Sequence, residues 1–271
     1  MKRFLMATAF SLAASYAGAA DLAYKAAPQP APVPYSSWTG FYIGLNGGYG
    51  GNNESQSIAG ANPLSVTVVG TGIVPAALKV VPNGWVFGGQ AGYNYQMGIF
   101  VMGGEADLQW ANISGSATQL LTTAPLNLRG LSASLTSMGS SNVDWYGTVR
   151  GRIGFLPVSS LLVYATGGLA YGQINDNTSI ALAVSNKGVP INGLNATALD
   201  SNNTTKFGWV VGGGFEYALN RNWSVKTEYQ YINFGSHTDT FGATVANAPV
   251  LFTVNQKDDL HIAKVGVNYR W

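Results

Sequence analysis

Two histidines, no cysteine and only 12 acidic residues limit the chemistry open to this 271-residue chain. Without cysteine there is no thiol nucleophile and no disulfide framework. His261 shares its parity with Asp259 in a serine-rich chain, which is the material of a Ser–His–acid lipid hydrolase. His237 has Asp239 close by, the little that a surface protease would offer. Asp258, Asp259 and His261 lack a convincing metal-ligand spacing, and no second cluster accompanies them. No glycine-rich loop precedes a Lys-Ser/Thr pair, so no phosphate cradle is expected. The chain reads as a non-enzyme with no cofactor and no metal. Its more informative charges stand two residues apart or at matching parity: Glu105 and Asp107, Asp144, Arg150 and Arg152, Glu216, Lys226 and Glu228, Lys264 and Arg270.

A spacing of two places side chains on one face of a β-strand. Each of these charges alternates with apolar residues. Eight such segments recur. They run from Phe41 to Tyr49, Trp85 to Tyr95, Phe100 to Trp110, Trp145 to Phe155, Val163 to Tyr171, Phe207 to Tyr217, Trp223 to Tyr231, and through Val265, Val267, Tyr269 and Trp271. Each is close to the ~9–11 residues that a tilted strand needs to cross a bilayer. Short joins near Met97-Gly98, residues 157–160 and residues 219–222 alternate with long segments at 52–83, 112–142, 175–205 and 235–258. Short inner turns and long outer loops are the rhythm of a transmembrane barrel.

Charged residues make up only 10% of the chain, against ~25% in soluble domains. Mean hydropathy is +0.11, yet past the N-terminus no stretch reaches the ~18 apolar residues of a membrane helix. Residues 1–20 read as a secretory signal, with Lys2 and Arg3 before an apolar core and small residues at 17–20. Of 14 Lys/Arg, these two lie in that segment, leaving 12 against 12 Asp/Glu, so no nucleic-acid partner is implied. Residues 21–37, rich in Ala and Pro, read as an extended periplasmic leader. Within the loops, Leu64 to Val69 and residues 126–135 alternate like strands, so some hairpins are expected to continue past the membrane.

If the first strand rises from the periplasm, Phe41, Tyr95, Phe100, Phe155, Tyr217, Trp223 and Trp271 fall at the inner rim. Tyr49, Trp85, Trp110, Trp145, Tyr171, Phe207, Trp209 and Tyr231 fall at the outer rim. Two aromatic girdles are what amphipathic rings form at the headgroup levels. The charges then all face inward, where none meets lipid; a midplane Arg or Lys on the lipid face would cost about 2–4 kcal/mol. Register counting sets Glu105 beside Arg150, Glu216 beside Lys226 and Glu228 near Lys264. Both signs in a narrow lumen suggest a salt-bridged plug, with structural packing weighed above gating or proton conduction through the network.

The block Trp38-Thr39-Gly40-Phe41-Tyr42-Ile43-Gly44, the segments Gly103-Gly104-Glu105 and Tyr146 to Arg152, and the ending Val265 to Trp271 resemble the alphaproteobacterial outer-membrane immunogenic protein family of RopB-like surface proteins. The resemblance covers the chain beyond the signal. It implies an all-β fold, an eight-stranded antiparallel transmembrane β-barrel of the OmpA membrane-domain type spanning residues 38–271, in the cell outer membrane. It departs from the family in ending on Trp where Phe is usual. Val265, Val267, Tyr269 and Trp271 resemble an assembly signal for the barrel-assembly machinery. The expected partners are otherwise outer-membrane lipid and lipopolysaccharide, with host or environmental surfaces meeting the loops. The expected role is structural, with exposed immunogenic loops. The alternatives are a small-solute porin and, further off, the lipid hydrolase considered above.

Overall fold

The structure, a computed structural model, describes residues 37–52, 54–70, 74–123, 131–187, 189–191, 195–245 and 248–271. The signal segment 1–20 and all of the leader 21–37 except Ser37 lie outside them. In chain order the elements are β1 (Gly40–Gly51), β2 (Glu54–Gly60), α1 (Pro63–Gly70), β3 (Ala77–Val80), β4 (Asn83–Met97), β5 (Phe100–Thr123) and β6 (Leu131–Val158). They continue with β7 (Leu161–Asn186), β8 (Val189–Pro190), β9 (Ala196–Ala218), β10 (Trp223–Val245) and β11 (Ala248–Arg270).

Eight of these strands pair antiparallel in the order β1-β4-β5-β6-β7-β9-β10-β11, and β1 closes on β11 from Tyr42↔Arg270 to Gly51↔His261. Closure leaves no strand edge unpaired in hydrocarbon, where an unsatisfied backbone group is expensive. The strands obey the two-residue period. Phe41, Ile43 and Leu45 are exposed on the outer wall while Tyr42 and Asn46 are buried in the lumen. The inner-rim aromatics and Tyr49, Trp85, Trp110, Phe207 and Trp209 are exposed on the lipid face. Edge-on ring pairs tie neighbouring strands there, as at Tyr49–Trp85 (5.1 Å), Trp209–Tyr231 (5.4 Å) and Trp223–Tyr269 (5.1 Å). The β4–β5 turn uses Gly98 at φ 61°, a left-handed conformation that costs glycine little.

The continuation of hairpins past the membrane, expected for some of the four long segments, is seen in three of them. Most of residues 112–142, 175–205 and 235–258 are strand, continuing the barrel hairpins far above the outer girdle. The reason is a second apolar core there, in which Ile58, Leu135, Ile180, Phe241, Val250, Phe252 and Val254 are all buried. Segment 52–83 contributes β2 and β3, which extend the sheet beyond β11. Leu64 to Val69 is helix, not strand. Asn62 and Ser65 exchange reciprocal bonds as an N-cap box, and Pro63 occupies the first helical position. Residues 124–130 lie outside the described ones.

Asp144 also departs from expectation: it is exposed, not lumenal. A bulge between Val143 and Trp145 shifts the β6 register and turns it outward, where it accepts a bond from Asn175 Nδ2 at 2.7 Å.

Candidate functional site: the charged lumen

Strand pleat aims the lumenal charges at one another, and inward glycines make room for them. Arg150 on β6 faces Gly168, and Glu228 on β10 faces Gly214. A Cβ on Gly168 would collide with the Val149 carbonyl, so this is a close approach that only glycine allows.

Arg150 is the hub. Its guanidinium reaches Glu105 at 2.5 Å, Asp107 at 2.8 Å and Glu228 at 2.7 Å, and donates to Thr166 Oγ1 at 3.1 Å. Lys226 holds both oxygens of Glu105, at 2.8 and 2.9 Å. Lys264 lies 3.3 Å from Asp107 and 4.0 Å from Glu228. Arg152 pairs with Glu216 and lies 3.7 Å from the centre of the Tyr164 ring. Neutral donors complete the acids: Tyr42 to Glu105 (2.7 Å), Tyr164 to Glu228 (2.9 Å), Ser224 and Asn268 to Glu216 (2.6 and 2.9 Å). Glu105, Asp107, Glu216 and Glu228 thus balance Arg150, Arg152, Lys226 and Lys264, and all eight are buried. A lattice so compensated can exist away from water; an unpaired charge there could not.

Arg270, the ninth residue of the expected network, is buried at the inner end of the lumen. It stacks 4.6 Å from the Trp38 ring and donates to the Arg221 carbonyl at 3.4 Å. Trp38 is fully buried, bonds Ser159 O through Nε1 at 3.0 Å, and packs with Val101, Leu156 and Leu162 as an apolar floor. Above the lattice lies a second apolar layer, including Val86, Ile113, Tyr146, Val210, Ile232 and Ile262, all buried. At the top of that layer, a hollow bounded by Ser141, Phe234 and Leu260 measures about 10 Å³, no more than one water.

Register adjacency did not always predict partners. Glu105 stands opposite Arg150 and Glu228 opposite Lys264. Glu216 stands opposite Lys226, but its ion pair goes to Arg152. Tyr42, Thr166 and Asn268 were not among the residues expected in the charge network. Their parity, inward between lipid-facing neighbours, is the signal that could have found them.

The histidines sit outside this lattice. His261 lies on the outer wall at the rim, with Nδ1 2.5 Å from the Tyr229 hydroxyl and Nε2 4.0 Å from Asp259. Its nearest hydroxyl partner is a phenol rather than a serine. His237, expected in a loop, is on β10 and points into a cluster above the outer girdle. There Lys206 Nζ lies 3.0 Å from Asp176, 2.7 Å from Asp258 and 3.2 Å from His237 Nδ1. Three potential metal ligands converge at this point, Asp176, His237 and Asp258, but a tethered ammonium already occupies the centre. Burial raises the Asp258 carboxyl above its usual range, opposed by its bond to Lys206.

Residues 5–270 match the family model of the outer membrane protein beta-barrel domain. The 31 kDa outer-membrane immunogenic protein of Brucella melitensis is 33% identical over 276 residues, covering all of both chains. The chain belongs to the alphaproteobacterial outer-membrane immunogenic protein family. A 22 kDa outer membrane protein of Rhizobium leguminosarum bv. viciae, 29% identical, matches 77% of this chain and 70% of its own. Among solved structures, the outer membrane protein OprG of Pseudomonas aeruginosa is similar over 86% of this chain and 96% of its own, at 12% identity and TM-score 0.44. This family member is an outer-membrane protein, and its strands are the barrel that crosses that membrane.

Proposed function

We propose that this protein is a closed structural barrel of the outer membrane that holds a stiff β-rich surface outside the cell. One observation carries the reading: the lumen is stacked with an apolar floor, a charge-balanced lattice and an apolar layer above it. Eight strands leave an interior that side chains nearly fill. The extracellular hairpins share their own core, so they present an ordered face to antibodies or surfaces rather than loose loops. The strand holding Val265, Val267, Tyr269 and Trp271 serves both as the closing strand against β1 and as the segment read by the assembly machinery. The protein performs no catalysis in this reading, since His261 is engaged by Tyr229.

The second reading, a small-solute porin, is favoured only by the barrel itself. Planar-bilayer recording of the purified protein separates the two. The closed-barrel reading expects silence or rare small flickers; stable conductance steps in every insertion would defeat it. Absence of lipid deacylation by the wild-type protein, with His261→Ala as control, is expected as well.

A further inference from the structure

The outer wall carries a feature that the closed-barrel reading does not use. On the rows Trp85–Tyr49–Ala263–Tyr229–Gly213 and Phe87–Gly47–Val265–Thr227–Phe215, small side chains are grouped between large aromatic ones. Gly47, Ala263 and Gly213 form the floor of a trough of about 560 Å³ on the lipid-facing surface, walled by Trp85, Tyr229 and Phe215. The trough continues upward, through the shared residues Tyr49, Tyr229 and Ala263, into a second hollow of about 560 Å³. That upper hollow is edged by polar groups, His261, Asn52 and Asn83. From His261 to Val265 is about 13 Å along the strand. At a strand tilt of ~40° this becomes roughly 10 Å of depth, inside one leaflet of a ~30 Å core.

Above the hollow stand two lysines. Lys79 on β3 and Lys257 on β11 are both exposed. The pairing Ala77–Ser57–Asn255 sets both lysines one pleat nearer the membrane at a common height, with β2 between them. Two strand spacings put them roughly 10 Å apart. Lys79 is two residues from Val81, and Lys257 is four from His261, both of which line the hollow. Asp259, between Lys257 and His261, is turned to the Tyr231 hydroxyl at 3.3 Å.

We propose that this face seats one acylated, phosphorylated glycolipid of the outer leaflet, with an acyl chain in the trough, sugar hydroxyls at His261 and Asn83, and phosphate at Lys79 and Lys257. The inference rests on the outer-membrane placement and is independent of whether the lumen conducts. Two exposed lysines above an apolar trough match a phosphate above an acyl chain, so the glycolipid satisfies wall and rim together.

The test is native mass spectrometry of the refolded, detergent-held protein titrated with lipid A or with phosphatidylcholine. Heat-modifiable gel migration first establishes that each variant is a folded barrel, so failure of the barrel is read separately. Wild type is expected to retain one lipid A with at least tenfold preference over phosphatidylcholine. Ala263→Phe, which fills the trough from the lipid side, should lower retention of lipid A at least tenfold. The double variant Lys79→Gln/Lys257→Gln lies outside the membrane and leaves the fold intact; it should abolish the preference for lipid A. Equal retention by wild type and Ala263→Phe, equal binding of the two lipids by wild type, or a second protein copy in place of lipid would each overturn the proposal.

Discussion

Replacing Arg150 with Met tests whether the lumen lattice holds the barrel shut by charge balance. Met keeps much of the stem and removes every donor. Four carboxylates would then face three cations, Arg152, Lys226 and Lys264, leaving one uncompensated negative charge among buried groups. The loss is not evenly shared. Glu105 keeps Lys226 at 2.8 Å, and Asp107 keeps Lys264 at 3.3 Å. Glu228 is left with ammonium groups at 3.7 and 4.0 Å, too distant for good hydrogen bonds. Removing one partner of a buried pair costs about 3–5 kcal/mol, so a destabilisation of about 4 kcal/mol is expected. Urea unfolding in lipid vesicles, followed by tryptophan fluorescence, reads it directly. Adding Glu228→Gln restores the balance, with Glu105, Asp107 and Glu216 against the three remaining cations. The double variant should therefore recover about 1–3 kcal/mol relative to the sum of the single effects. A single-variant loss below about 1 kcal/mol, or strictly additive effects, would refute the claim that the lattice is a compensated unit.

Three further outcomes follow from other parts of the molecule. Lys206→Met removes the cation that opposes burial at Asp258, so that carboxyl rises further above its unfolded value. Because a raised carboxyl favours folding only below its unfolded pKa and loses that contribution as pH climbs through the folded one, the variant should lie nearest wild type at about pH 4 and be most destabilised near pH 7; urea unfolding at both values checks the sign. Phe241→Ala opens the upper core beside Phe252, whose ring centroid is 6.3 Å away. It should cost that core about 3–5 kcal/mol, seen as protease nicking of the hairpins on intact cells while heat-modifiable migration of the barrel is unchanged. Trp271→Ala removes a ring 63% exposed that meets Tyr269 edge-on, 5.5 Å between centroids. It should lower the membrane-inserted fraction in cells while changing the urea midpoint of the inserted protein little; normal insertion would count against Trp271 as an assembly determinant.

The membrane-crossing part was legible because its two faces meet unlike surroundings. Phe41, Ile43 and Leu45 against Tyr42, Gly44 and Asn46 is a pattern that hydrocarbon outside and a polar lumen inside enforce together. Above the outer girdle neither face meets lipid, and the contrast fades. There Ser137, Thr178 and Gln256 are buried beside Leu135, Ile180 and Val254, while Leu120 and Leu199 are exposed. A strand of that composition reads as a polar loop, although cross-strand pairing and a shared core make it continuous with the barrel. The helix at Pro63–Gly70 was hidden for the opposite reason. Its β-branched valines suggest a strand, and only the reciprocal bonds between Asn62 and Ser65 reveal that capping decided the local structure.

Partner choice inside the lumen lies at a further level still. Counting along strands identifies which residues face inward, and a single bulge is enough to misplace one of them, as at Asp144. Counting across a ladder identifies which residues stand opposite, yet Glu216 passes over Lys226 for Arg152, and Arg150 gathers acids from β5 and β10 at once. These contacts cross the barrel instead of following its wall. They depend on how far a long side chain reaches through a space kept open by Gly168 and Gly214, where the tightest solution is a joint property of all eight strands. Alternation therefore fixes the membership of the lattice, while the lumen's width fixes its wiring. A substitution of an inward glycine such as Gly168 should disturb the ion pairs as surely as removal of a charge, because it takes away the room in which Arg150 meets its three acids.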